Sequence, residues 1–321
     1  MTDIPLGAGG EFDRIRAIAA RLGNRAAGLG DDCARIPDEP GTLVTSVDQS
    51  VEGVHFRRDW ISLEETGWRA ATAALSDLAA AGARCVGVLA AVTAPRSSSV
   101  DEVTSMLEGV GTAVAAGGGV VLGGDLGASD RWAIAVTVFG RAAHPMSRRG
   151  ARPGDMVWVT GSLGGARAAT TAWLNRRIPE PYARSAFAHP TARLAAGRWL
   201  AGHGATAMID LSDGLAGDAA HLAVASGVAI HIELERLPVL PEVWPEAKAA
   251  GEEPEVFAAR GGEDYELLAC LPPSFTLDDA ARCLVDTGTR LSRVGRMGDG
   301  TGVRLTLVGR PVLIQGYDHF G

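Results

Sequence analysis

A break rich in Pro, Gly and Arg, HPMSRRGARPGD at residues 144–155, constrains the fold of this chain more than any other feature. On either side of it, short strand-like runs alternate with longer segments of helical period, so the sequence carries two α/β patterns in succession. A length of 321 residues agrees, being more than one typical core holds. Hydrophobic residues at 46% against 21% charged belong to a folded globular protein and argue against disorder. The expected fold class is therefore α/β (α+β), with an N-terminal domain over 1–148 and a C-terminal domain over 149–321.

Local signals fill in the two halves. The apolar spacing of Phe12, Ile15, Ile18, Ala19 and Leu22 predicts an amphipathic helix over 11–22. A strand follows over 42–47, ending at Asp48. Ser62 with Glu65, and Ser99 with Glu102, form two capping-box patterns that open helices running to about 81 and 116. Strands are expected over 84–93, 120–122 and 132–141. Beyond the break, strands over 156–160, 207–210, 228–233, 264–270, 291–294 and 303–308 predict a mixed sheet. Helices over 164–174, 191–203, 215–225 and 277–285 accompany it, and 176–190 reads as a Pro-containing connection.

Composition excludes several function classes. Net charge is −8 and Arg is dispersed, with no basic stripe for a phosphate backbone, so no nucleic-acid partner is expected. Cys33, Cys85, Cys270 and Cys283 lie far apart without CxxC spacing, which argues against zinc and a disulfide framework and for buried free thiols. The opening MTDIPLGAGG has neither a basic nor an apolar signal region. Residues 70–94 are interrupted by Asp77 and Arg84, so no membrane span is expected and the protein reads as cytoplasmic. No GxxxxGK[ST], dinucleotide fingerprint or protein-kinase signature appears.

What remains is a set of acidic stretches: GLGDDC, TSVDQSVEGVHF, ALSDLAAAGA, LGGDLG and MIDLSDGLAGD. Each sets Asp beside Gly, Ser or a strand end, where a carboxylate can meet a cation. An acidic protein that binds an acidic ligand needs metal between them, which points to Mg²⁺-dependent nucleotide chemistry. Gly123-Gly124-Asp125 reads as a strand end whose N–H groups face phosphate while the carboxylate faces the metal. The run from Asp210 through Ser212 and Asp213 reads the same way at a strand-to-helix turn, where the helix dipole helps. Each has a plainer reading as turn or cap chemistry. Asp77 lies in an Ala-rich helical run and is either solvated near the helix end or met by a cation. His55 by itself reads as a core histidine, and Arg148 as a linker charge or a phosphate ligand.

Taken in order, GEF, GDDC, VEGVHF, LSDLAAAGA, LGGD, RRGARPGD, VTGSLG, IDLSDGL, GGEDYELL and the final GYDHF resemble the thiamine-monophosphate kinases, within the superfamily of aminoimidazole ribonucleotide synthetase. The resemblance covers essentially the whole chain. It implies a two-domain fold whose N-terminal sheets pair across a homodimer. It also implies ATP as co-substrate and several Mg²⁺ ions. Carried onto this sequence, it makes Asp32, Ser46, Val47 (through its backbone), Asp48, Asp77, Asp125, Asp210 and Asp213 metal ligands, with Asp48, Asp77, Asp125 and Asp210 at the catalytic centre. Gly124, Asp125, Arg148 and Ser212 would approach the ATP phosphates, and His55, Glu263 and Ile314 the thiamine monophosphate.

The implied reaction suits these residues. A phosphate monoester loses its second proton near pH 6, so its oxygen attacks the γ-phosphorus of ATP without a strong base. The barrier is the approach of two polyanions, which metal ions relieve. The chain departs from the family pattern at Val47, where a Thr is usual, at Leu126, where a second Thr is usual, at 115–119, which lacks an aromatic, and at Ile314, which replaces a Trp. Two other readings stay open: an amide- or carbamoyl-activating relative using ATP, and a nucleotide-binding homologue with impaired catalysis.

Overall fold

The computed structural model describes residues 10–27, 29 and 33–314. The calls on Asp32 and on GYDHF at 316–320 lie outside the described residues, as do the side chains of the expected helical Phe12 and its neighbour Glu11. The chain divides into two compact units, the first comprising residues up to 78 and 84–143, the second 79–83 and the chain from 144 onward. Among the described residues no helix is long and apolar enough to cross a membrane.

The first unit holds α1 (Gly10–Leu22), β1 (Thr42–Val51), α2 (Leu63–Ala80), β2 (Arg84–Pro95), α3 (Val100–Ala116), β3 (Val120–Ser129) and β4 (Ala133–Ala142). Its four-stranded sheet has the order β1-β4-β2-β3, which leaves β1 and β3 as edges. β2 and β3 run parallel, and β4 runs antiparallel to β1 and β2. Both capping boxes form: Ser62 Oγ accepts from Glu65 N at 3.1 Å and Ser99 Oγ from Glu102 N at 3.1 Å, each glutamate reaching back to the cap's own N–H. Two expected ends move. β1 continues three residues past Asp48, and β3 runs seven past Leu122, so Gly123-Gly124-Asp125 lies inside a strand and not at its end.

The second unit comprises β5 (Met156–Thr160), α4 (Gly165–Leu174), α5 (Pro181–Ala188), α6 (Leu194–Gly202), β6 (Ala207–Leu211), α7 (Leu215–Ser226), β7 (Ala229–Glu233), α8 (Val243–Ala250), α9 (Pro254–Arg260), β8 (Glu266–Leu271), α10 (Leu277–Thr287), β9 (Leu291–Gly298), β10 (Gly302–Leu307) and β11 (Arg310–Val312). A seven-stranded mixed sheet in the order β11-β10-β7-β9-β5-β8-β6 carries them. The expected connection over 176–190 contains α5, which starts at Pro181 because proline's fixed φ and missing N–H suit the first helical turn. Pro254 opens α9 in the same way. β8 and β6 are buried at every position, and their alternate residues join a core with Leu215, Leu222, Ile230 and Val294.

Candidate active site

In the first unit, β1 sorts its side chains by the pleat. Ser46 and Asp48 lie on the more covered face, and Val47 on the other, 64% exposed. Asp77, one turn from the end of α2, accepts a 2.5 Å hydrogen bond from Ser46 Oγ. The Ala-rich run around it therefore hides no stranded charge: a hydroxyl of the neighbouring strand meets the carboxylate. Asp48 Oδ1 accepts the N–H of Gln49 at 2.7 Å. The Val47 side chain points away from Ser46 and Asp48, so the loss of the usual hydroxyl there falls on the opposite face of the sheet.

Asp125 belongs to that opposite face too. The register aligns it with Ala91, Ala135 and Gln49, whereas Asp48 aligns with Val136, Ala90 and Gly124. Within this unit the fold brings Ser46, Asp48 and Asp77 to one side and sets Asp125, exposed on an edge strand, on the other. Gly124 has a packing reason of its own. A Cβ there would sit 1.9 Å from the carbonyl oxygen of Ala90, a clash with backbone that cannot move aside.

His55 lies in the tight turn after β1, where Val51 donates its N–H to Nδ1 at 3.1 Å and accepts from His55 N at 2.9 Å. Because Nδ1 accepts, the neutral ring carries its proton on Nε2. The ring is only partly buried, while its neighbour Phe56 is the turn's core residue.

In the second unit, the segments around Ser212 and Glu263 lock together. Glu263 N donates to Ser212 O at 2.7 Å and Tyr265 N to Leu211 O at 2.9 Å. A Cβ on Gly262 would come within 2.6 Å of Ser212 O, so this approach requires glycine. Glu263 and Tyr265 both sit at positive φ, 65° and 51°, a strained backbone of the kind concentrated at functional sites. Between them Asp264 accepts the N–H of Gly164 at the start of α4, 2.9 Å away. Burial, together with the charges of Glu266, Glu263 and Asp218 and against the Gly164 hydrogen bond, pushes its carboxyl well above the usual range.

Asp218, in the first turn of α7, accepts the N–H groups of Ser212 and Asp213 on one oxygen, at 3.1 and 3.2 Å. Burial first, then the Asp210 and Asp213 charges, push its carboxyl up to about 8. The sequence reading of this turn as a phosphate cradle is thus corrected in part: two of its N–H groups are held by the chain's own carboxylate.

Arg148 is exposed, and its carbonyl accepts from Ser226 Oγ at 3.1 Å. Ser226 ends α7, and the neighbouring Ser147 carbonyl accepts the N–H of Met208, two residues before Asp210 on β6. Ile314 packs against the core of the second unit. Of the cysteines, Cys85, Cys270 and Cys283 are buried as free thiols, and Cys33 is exposed, against expectation.

Family models described as "AIR synthase related protein, N-terminal domain" and "AIR synthase related protein, C-terminal domain" match residues 30–142 and 152–308. The thiamine-monophosphate kinase of Mycobacterium tuberculosis is 32% identical over 292 residues, spanning 86% of this chain and 88% of the relative. This chain belongs to the thiamine-monophosphate kinase family. A solved structure of AaThiL complexed with AMPPCP and TMP is 33% identical, covers 97% of each chain and superposes with a TM-score of 0.79. The hydrogenase maturation protein HypE in complex with ATP superposes with a TM-score of 0.82 over 98% of each chain at 19% identity, which shows shared fold alone.

For a member of this kinase family, the sequence reading missed three supports around the Glu263 segment. Asp218 and Asp264 are the first two. The third is Glu266, which pairs bidentately with Arg193 at 2.7 and 2.5 Å and accepts from Thr160 Oγ1 at 2.6 Å. A Cβ on Gly161 would overlap the Glu266 carboxylate, so VTGSLG is glycine-bearing there to admit this ion pair. The signal available in the sequence was the density of carboxylates in GGEDYEL, too many for a buried strand without a cationic partner.

Proposed function

We propose that this chain is an ATP-dependent kinase that phosphorylates thiamine monophosphate to thiamine diphosphate by direct in-line transfer. The observation that carries it is whole-length identity of 32–33% to thiamine-monophosphate kinases, together with the GGEDYEL segment locked onto the LSDGL turn.

Mg²⁺ fits the donor set. Carboxylate and hydroxyl oxygens are the hard donors it prefers, and it takes one or two carboxylates alongside substrate phosphates and water. Among the described residues no three His, Cys, Asp or Glu side chains form a ready metal cluster. Burial chiefly, and after it the charges of Asp210 and Asp213, push the Asp218 carboxyl up, and a cation at this turn would relieve the second of these. In the first unit Asp48, Asp77 and Ser46 would hold one of several ions, with Asp125 on the other sheet face a donor to another; in the second unit Asp210 and Asp213 would hold a further ion, and Asp32 would be an additional donor. When bound, Mg²⁺ neutralises the phosphates and lets two polyanions approach.

The remaining chemistry belongs to the chain. Ser46 orients the Asp77 carboxylate through its hydroxyl hydrogen bond. His55, its tautomer set by Val51, offers an Nε2–H donor to the acceptor substrate, and Glu263 offers a carboxylate to the cationic thiamine end. No residue is needed as a strong base, because the attacking phosphate oxygen is already ionised near neutral pH. Gly124, Arg148 and Ser212 complete the proposed ATP contacts, and Ile314 that to thiamine. We place the reaction in the cytoplasm.

The test is direct. The protein with ATP, Mg²⁺ and thiamine monophosphate is expected to form thiamine diphosphate and ADP in equal amounts, read by chromatography. ATP consumption that depends on an amide or carbamoyl substrate instead would replace this reading with the activating one, and ATP binding without turnover would replace it with the impaired one.

A homodimer is part of the proposal. Leu43 and Val47 on β1 and Ala91 on β2 are exposed on the face away from Asp77, an apolar surface suited to a second copy. Val47→Arg is expected to shift the mass measured by light scattering from dimer to monomer. A wild type that is monomeric at all concentrations tested would remove this part.

A further inference from the structure

The start of α7 departs from ordinary helix capping. Its N-cap is Gly214, held at φ 97° and without a side chain to cap the helix. The acceptor that meets this end comes from within the helix. Asp218, 3% exposed, turns back and accepts the N–H groups of Ser212 and Asp213 on Oδ2. On the other side of the same turn, the carbonyls of Leu211 and Ser212 accept from Tyr265 and Glu263. The Ser212 and Asp213 amides and these two carbonyls are therefore committed inside the protein.

We propose that Asp218 is a positioning residue: by filling the seat that the Ser212 and Asp213 amides form ahead of α7, it makes this turn meet ATP through the carboxylates of Asp210 and Asp213 and a cation, not through those two amides. The role rests on the phosphoryl-transfer reading above for its purpose, though not for its test. A helix N-terminus with free N–H groups binds phosphate readily. One whose leading N–H groups already have an internal acceptor has fewer of them to offer.

The experiment compares full-length wild type, Asp218→Ala and Asp218→Asn by amide hydrogen exchange, with and without inorganic phosphate. In wild type the Ser212 and Asp213 amides are expected to be protected and indifferent to phosphate. In Asp218→Ala they should exchange roughly tenfold faster or more, as expected for the loss of a hydrogen bond to a carboxylate. Phosphate should then slow them, while Leu222 and Ala223 further along α7 keep their rates. Asp218→Asn retains a carbonyl acceptor and should restore protection.

In the kinase assay, the Mg²⁺ concentration giving half-maximal rate should rise for Asp218→Ala and return toward wild type for Asp218→Asn. Unchanged exchange in Asp218→Ala, or phosphate protection already present in wild type, would overturn the proposal. If Asp218→Ala loses protection throughout α7, Asp218→Asn decides: protected amides support the seat, and unprotected ones overturn it. A protein with the expected exchange pattern but no kinase activity would sink the functional reading and leave the seat standing.

Discussion

Asp77→Asn is expected to lower kcat by more than about a hundredfold while leaving the melting temperature nearly unchanged. Residues that merely orient metal ligands already cost about 10–100-fold when removed, so a carboxylate proposed to hold the metal itself costs more. The fold is spared because the amide carbonyl can still accept the Ser46 hydroxyl, now 2.5 Å away. Asp48→Asn should behave alike, since its Oδ1 keeps the hydrogen bond from Gln49 N. The measurement is steady-state kinetics across Mg²⁺ concentrations, with circular dichroism as the fold control. Wild-type kcat in either variant would remove that carboxylate from the metal site. Asp125→Asn makes an instructive comparison, because the pleat puts this residue on the other sheet face.

The second large effect concerns stability. Arg193→Ala leaves the Glu266 carboxylate, 5% exposed, with Thr160 as its remaining hydrogen-bond partner in the pair's network. Breaking a buried ion pair from one side costs about 3–5 kcal/mol, because the surviving charge stays desolvated. For a unit of this size that corresponds to a fall of roughly 10 °C in melting temperature. Replacing both partners, as Arg193→Met with Glu266→Leu, should recover much of the loss. Thermal unfolding of the three variants checks this, and a single variant within 2 °C of wild type (about 1 kcal/mol or less) would show the pair to be energetically idle.

Much of the local architecture was legible in the sequence because its causes are local. The two capping boxes at Ser62 and Ser99 needed only a hydroxyl and a glutamate three residues apart. The strand over 156–160 was readable as an apolar, β-branched run. Helix α5 lies inside the Pro-containing connection expected over 176–190, because Pro181 suits the first turn of a helix. The strand ends at Asp48 and at Gly123-Gly124-Asp125 were misjudged because polar and glycine residues were read as termini, when cross-strand pairing with β4 and β2 carries both strands onward.

The sequence by itself determined which residue types could carry the chemistry. Asp48, Asp77, Asp125, Asp210 and Asp213 stand out through their neighbours and order, whereas His55 and Glu263 enter only through the resemblance to the thiamine-monophosphate kinases. The tertiary structure decided what each of them faces. The pleat, with its period of two, separates Asp125 from Asp48, and a hydroxyl one strand away occupies Asp77. Asp218, Asp264 and the Arg193–Glu266 pair came to light through contacts between residues up to about a hundred positions apart. Such contacts arise from packing and desolvation, which no local pattern records, whereas caps, turns and amphipathic spacing are set by residues within one or two turns of each other.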